Sequence, residues 1–203
     1  MAKGWGYRGG IADRRLNQYL YCMSSAIKIL PHYTYEDYCK WEGRWELIDG
    51  IPYAMSPAPS PEHQFIATNV QSEFRRAIKE TGCKNRRVYN FIDVKISEDT
   101  ILQPDALVVC REIKKPFLDF PASIVVEILS PSTALKDRNA KFDLYEQFGI
   151  PCYLIIDLDK KETELYRLTE KKYKLISFRN NESVSFTLDA DCSIAVNLNN
   201  IWE

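Results

Sequence analysis

Ile124-Val125-Val126-Glu127-Ile128-Leu129 decides how this chain is read. Every residue but one is apolar, and such a run is a strand buried on both faces of a sheet. Glu127 is the exception. A carboxylate in that setting costs several kcal/mol or shifts its pKa, unless something positive compensates it. Working outward, Pro104-Asp105-Ala106-Leu107-Val108-Val109 puts a second acid at the head of another apolar strand. On the other side, residues 133–148 read as a helix ended by Gly149 and Pro151. Lys141, Leu144, Tyr145 and Phe148 share one face of it, so a lysine sits where an apolar residue is expected. Cys152-Tyr153-Leu154-Ile155-Ile156-Asp157 is a further apolar strand. The strand–helix–strand unit 123–157 therefore predicts a parallel, right-handed crossover.

The flanking segments complete a mixed α/β (α+β) pattern. Thr34 caps a short helix with Glu36 and Asp37 in its first turn. Residues 45–48 and 51–55 read as a hairpin about Asp49-Gly50. Ser60 and Pro61 are N-cap and first residue of a helix to about Glu80, stopped by Gly82. Its stripe is Ile66, Ala67, Val70, Phe74, Ala77 and Ile78, with His63 on the same face. Segment 87–96 alternates loosely, 101–110 is one arm of an antiparallel pair, and 162–168 with 173–178 form a final hairpin. Residues 1–22, rich in glycine and arginine, read as a disordered arm or N-terminal extension, with Met23 the more natural start of a single domain to residue 203.

Composition narrows the function. A net charge of −1 argues against a chain that binds polyanions over its whole surface, though not against a local basic groove. The six cysteines include no C-x-x-C pair, and with only two histidines a structural zinc site is not expected. Cys110 and Cys152 fall in apolar strands as buried thiols. The pattern points to a reducing cytosol, and the even count leaves disulfides open. No stretch approaches the roughly 20 apolar residues that cross a membrane, so the expectation is a cytoplasmic protein.

Asp105 and Glu127 together carry the chemistry. Two carboxylates about 4–5 Å apart repel by roughly 3 kcal/mol at an effective dielectric near 20. A hard divalent cation with oxygen ligands removes that penalty, so the pair makes sense as a Mg²⁺ or Mn²⁺ site. Taken singly, Asp105 could begin a surface strand and Glu127 could pair with an arginine. Lys141 either reaches the carboxylates or forms an i,i+4 surface pair with Asp137. His63 is either a base or phosphate ligand, or a half-buried histidine with one hydrogen bond. Alternation puts Glu46 opposite Trp45 and Leu47, facing solvent or the acidic site. Asp157 reads as the start of a turn. Lys84, Arg86 and Arg87 cluster near the expected site, either to grip phosphates or simply as a solvated face. No P-loop, dinucleotide or serine-hydrolase signature is present.

At these residues the chain resembles the Uma2 family (DUF820) of restriction-endonuclease-like proteins. The matching segments are Trp45-Glu46-Leu47-Ile48-Asp49-Gly50, 55–60 with His63, Gln103-Pro104-Asp105, 126–133, and Asp137-Arg138 with Lys141, Tyr145, Gly149 and Asp157. They span about residues 30–170. The family sits in the PD-(D/E)xK nuclease superfamily. The resemblance therefore implies a mixed β-sheet core flanked by helices, a divalent metal and phosphodiester hydrolysis. It makes Asp105 and Glu127 the metal-binding acids and the Ile128 carbonyl a third ligand. The superfamily's lysine, two residues after the second acid, is Leu129 here, and Lys141 from the next helix is its substitute. Glu46 and His63 are accessory candidates. DNA is the expected substrate, and a homodimer suits an enzyme that cuts both strands. The alternatives are a non-catalytic module of the same fold that binds nucleic acid or a protein, and a hydrolase of small phosphoesters.

Overall fold

Strand pairing around Glu127 organises the molecule. A computed structural model describes residues 30–55, 58–131, 133–178 and 183–203, and His32–Glu203 form one compact unit. The 22/23 boundary lies outside the described residues. In chain order the elements are α1 (Tyr35–Tyr38), β1 (Trp45–Ile48), β2 (Ile51–Ala54), α2 (Pro61–Thr81), β3 (Arg87–Tyr89), β4 (Val94–Lys95), β5 (Ile101–Leu102), β6 (Ala106–Val109) and β7 (Ile124–Ile128). Then come α3 (Ala134–Lys136), a π-helical turn (Asp137–Lys141), α4 (Phe142–Phe148), β8 (Cys152–Asp157), β9 (Glu162–Thr169), β10 (Lys172–Ile176), β11 (Ser183–Asp189), β12 (Cys192–Asn197) and a 3-10 turn (Leu198–Trp202).

Six strands form the main sheet in the order β10-β9-β8-β7-β6-β3. Only β7–β8 is parallel, as expected for a pair joined by a helical crossover. A four-stranded sheet, β2-β1-β5-β4, and the hairpin β11–β12 complete the architecture. All five residues of β7 are buried. Its even-numbered residues pack in one core with α2 and the β11–β12 hairpin, and Val125 packs in a second core with Tyr145 and Tyr153. The sheet therefore has both faces covered.

Local chemistry explains the caps and turns. Ser60 Oγ accepts the His63 N–H at 3.2 Å, Pro61 opens α2, and Gly82 closes it at φ 70°. Asp49 and Gly50 both have positive φ, the requirement of a tight type I′ hairpin. Gly50 is fixed twice over, because a Cβ there would lie 2.4 Å from the His32 ring.

Several expectations need correction. Segment 87–96 is not one strand: β3 joins the main sheet and β4 the smaller one, and the chain between them turns through Phe91 at φ 55°. Likewise 101–110 splits at Pro104-Asp105 into β5 and β6, in different sheets. The helix at 133–148 contains the π turn Asp137–Lys141, in which Asp137 and Lys141 are both buried. The last thirty residues, left unassigned by the sequence pattern, hold β11 and β12. Cys83 and Cys192, 109 residues apart, are joined in a disulfide, a possibility that the even cysteine count left open. No local spacing marks that pair, because the fold alone brings the end of α2 to β12. Cys152 is a buried free thiol, Cys110 a half-buried one, and Cys39 an exposed one. Among the described residues no helix is long and apolar enough to cross a membrane.

Candidate active site

Antiparallel register places the two acids. Ala106 pairs with Val126 and Leu107 with Val125, so one further step sets Asp105 across from Glu127. Period two then puts both on the face of Leu107 and Val125. The Asp105 carboxylate reaches past Glu127 to accept the Ile128 N–H at 2.8 Å. His63, on the first turn of α2, brings Nε2 to 3.1 Å from the Ile128 carbonyl oxygen and 3.3 Å from Asp105 Oδ2. His63 Nδ1 is buried with no hydrogen-bond partner.

Lys141 does not point to solvent. It is 2% exposed. Its Nζ lies 2.8 Å from Glu127, 2.7 Å from Glu46 and 3.3 Å from Asp137. Glu46 enters the site from β1, fully buried. It also accepts the Gln103 N–H at 2.9 Å and pairs with Lys136. Tyr145 donates its hydroxyl to Glu127 at 2.7 Å. Asp157, as read, starts a turn: it accepts the Lys160 N–H at 3.2 Å and also binds Arg138.

Four buried carboxylates (Glu46, Asp105, Glu127 and Asp137) thus face two ammonium groups, Lys136 and Lys141. The imbalance appears in their protonation. Burial raises the Glu127 carboxyl well above its usual range. Lys141 opposes this, and Asp137, Asp105 and Glu46 reinforce it. Burial also raises Asp137. Burial disfavours charge on Lys141, but Glu127, Glu46 and Asp137 outweigh it and hold the ammonium protonated. Burial likewise favours neutral His63, and the Asp105 and Ile128 oxygens prevail to raise its pKa. Glu46 is buried too, yet Lys141 and Lys136 keep its carboxyl below the usual value.

Asp105, Glu127, Ile128, His63 and Lys141 all line one cleft of about 320 Å³. Among the described residues no trio of His, Cys, Asp and Glu side chains forms a metal-ligand cluster. The donor set here is two carboxylates and a backbone carbonyl, the oxygen chemistry of a hard cation.

Sequence reasoning missed Lys136, Tyr145 and the Arg44–Gln103 pair, 2.7 Å apart. Tyr145 carried a signal: a buried hydroxyl facing an acidic strand needs a partner. Lys136 lies in a charged stretch that reads as a solvated face. The Lys84–Arg87 cluster is not beside the site. Arg87 pairs with Val109, at the opposite end of β6 from Asp105, and Arg86 is bound to Asp189.

A mixed sheet covered on both faces, with acids on its adjoining inner strands β6 and β7, is the architecture of a nuclease-fold protein. A crystal structure of "a putative nuclease belonging to DUF820" from Anabaena variabilis ATCC 29413 matches with a TM-score of 0.66. The match covers 83% of this chain and 97% of that one, and at 16% identity it is a likeness of fold. The Uma2 family model, described as "Putative restriction endonuclease", matches residues 34–197, and the chain belongs to that family. The uncharacterized protein slr1290 of Synechocystis sp. (strain ATCC 27184 / PCC 6803 / Kazusa) is 31% identical over 144 residues, 67% of this chain and 74% of the relative. The family description supports a nuclease-like function.

Proposed function

We propose that this chain is a Mg²⁺- or Mn²⁺-dependent endonuclease that hydrolyses phosphodiester bonds in DNA, with a site of the PD-(D/E)xK type. One observation carries the reading: Asp105, Glu127, Ile128 and Lys141 line a single cleft, with the two carboxylates on facing strands and the lysine beside Glu127. Asp105, Glu127 and the Ile128 carbonyl would hold the ion. When bound, it supplies polarisation of the scissile phosphate and a lowered pKa for an attacking water. Lys141, held beside Glu127, offsets charge that builds on the phosphoryl oxygens. Glu46 and Tyr145 are positioning residues: Glu46 fixes the Lys141 ammonium and Tyr145 fixes one Glu127 oxygen. His63 orients the Asp105 carboxylate and the Ile128 carbonyl from the other side.

Nicking of supercoiled plasmid with Mg²⁺ or Mn²⁺ tests this. Wild type should nick, and Asp105→Ala and Glu127→Ala should not. Equal nicking by all three would assign the activity to a contaminant. A second reading, a non-catalytic DNA-binding module, is favoured by the engagement of Lys141 with three carboxylates. It predicts binding of DNA by wild type with no nicking under any metal.

A further inference from the structure

The mouth of the acidic cleft carries features that metal-assisted hydrolysis does not need. Tyr53 and Leu135 both line it, 39% and 82% exposed. Large apolar side chains gathered on the rim of a polar cavity mark a surface that contacts a ligand. Tyr53 stands on β2, the edge strand of the smaller sheet, across from Glu46. The Lys136 ammonium lies 5.5 Å from its ring centre.

Arg44 also lines this cleft. Its Nε bonds to Gln103, and its guanidinium lies 4.4 Å from the Phe91 ring centre. Its Nη2 is buried with no hydrogen-bond partner. The guanidinium places a fixed positive charge on the cleft wall, and phosphate oxygens match its fork. The cavity volume of about 320 Å³ lies at the low end for small-molecule sites. It suits one nucleotide. A base in a duplex hides both faces against its stacked neighbours, whereas an unpaired base offers a face to an aromatic ring.

We propose that this cleft takes one unpaired nucleotide, its base against Tyr53 and a phosphate against Arg44, so that the substrate is single-stranded or locally opened DNA. The inference rests on the nuclease reading for the polymer's role as substrate, but its test reads binding alone. Fluorescence anisotropy compares a labelled short single strand with a hairpin duplex of the same sequence. Calcium replaces magnesium so that neither is cut. The strand should bind about tenfold more tightly than the duplex. Tyr53→Leu should weaken strand binding about tenfold, and Tyr53→Trp should retain it, because stacking needs an aromatic face rather than bulk. Both variants sit on an exposed edge, and unchanged melting temperatures would confirm their folding. Equal affinity for strand and duplex, or full strand affinity in Tyr53→Leu, would overturn the proposal. A protein that prefers the strand yet cuts neither plasmid nor single strand with Mg²⁺ or Mn²⁺ keeps this inference and loses the hydrolase reading; a cutting protein without the preference does the reverse.

Discussion

Lys141 concentrates the tension of the site in one side chain. It is buried against three carboxylates, so its removal strands all three. Breaking a buried pair from one side costs about 3–5 kcal/mol. Lys141→Ala should therefore lower stability in urea by about that much, besides losing cleavage. A loss under about 1 kcal/mol would mean that water already solvates the ammonium. Asp105 works in the opposite sense. Asp105→Asn keeps the shape and removes the repulsion that Asp105 exerts on the Glu127 carboxylate, so it should raise the melting temperature of the metal-free protein. At a dissociation constant of about 1 mM, roughly 10 mM Mg²⁺ adds about 1.4 kcal/mol to wild type, a rise of about 3–5 °C. Asp105→Asn should show little of that rise in a thermal scan, and an equal rise in both proteins would remove Asp105 from the ion. Asp105, Glu127 and Lys141 were legible because each interrupts an apolar pattern. Glu46 was ambiguous because a strand buried on both faces gives alternation no solvent side to point to.

At the scale of elements, the contact of α4 with β10 turns on one acid. Glu146 is buried, pairs with Lys172 at 2.5 Å, and accepts the Tyr173 N–H at 2.6 Å. Lys172 and then the Tyr173 N–H hold its carboxyl below the usual value. A depressed folded-state pKa gives stability that is present above the unfolded pKa of 4.5 and is lost as pH falls through the folded value. Glu146→Gln should thus lower the urea midpoint at pH 7, and the gap from wild type should close as the pH is taken well below 4.5. A gap that persists undiminished in acid would assign the effect to packing. Nothing in the helical periodicity set Glu146 apart from an ordinary exposed position, since β10 reaches it only in the tertiary fold. The hairpin β1–β2 and helix α2 were legible because Asp49-Gly50, Ser60-Pro61 and Gly82 write their ends in turn and cap chemistry. The hairpin β11–β12 had the signal of a half-buried strand, with Val184, Phe186 and Leu188 alternating with exposed residues. It lies beyond the motif segments that suggest the family from sequence, about residues 30–170, yet within the residues 34–197 that the family model matches. The break of 101–110 was harder: Pro104 interrupts an apolar run, but only the pairing of β5 with β1 shows that the chain changes sheets there.

For the whole molecule, the Cys83–Cys192 crosslink sets how α2 and the C-terminal hairpin hold together. Cys83 follows the Gly82 cap of α2, and Cys192 opens β12. The residues joined are 109 apart, and closing a loop of that length restricts the unfolded chain by about 4–5 kcal/mol in the loop-entropy model. The core beneath it is apolar without the sulfur bridge: Phe74 of α2 meets Phe186 of β11 with ring centres 5.5 Å apart, and Ile194 and Val196 are buried beside them. Reduction should therefore leave the fold intact and shift its stability. The oxidised protein should melt about 10 °C or more above the reduced one. Cys83→Ser should melt with the reduced form and ignore reductant, while Cys152→Ser should respond to reductant as wild type does. Identical melting of oxidised and reduced wild type would mean that the two sulfurs gain nothing by joining. The pair would then serve a reducing compartment as two core thiols, in keeping with the cysteine pattern. A clear shift would instead make the redox state of the surroundings a determinant of how firmly the end of α2 is held. His63, at the other end of that helix, lies beside Asp105, so the same titration with reductant should also be read for metal affinity.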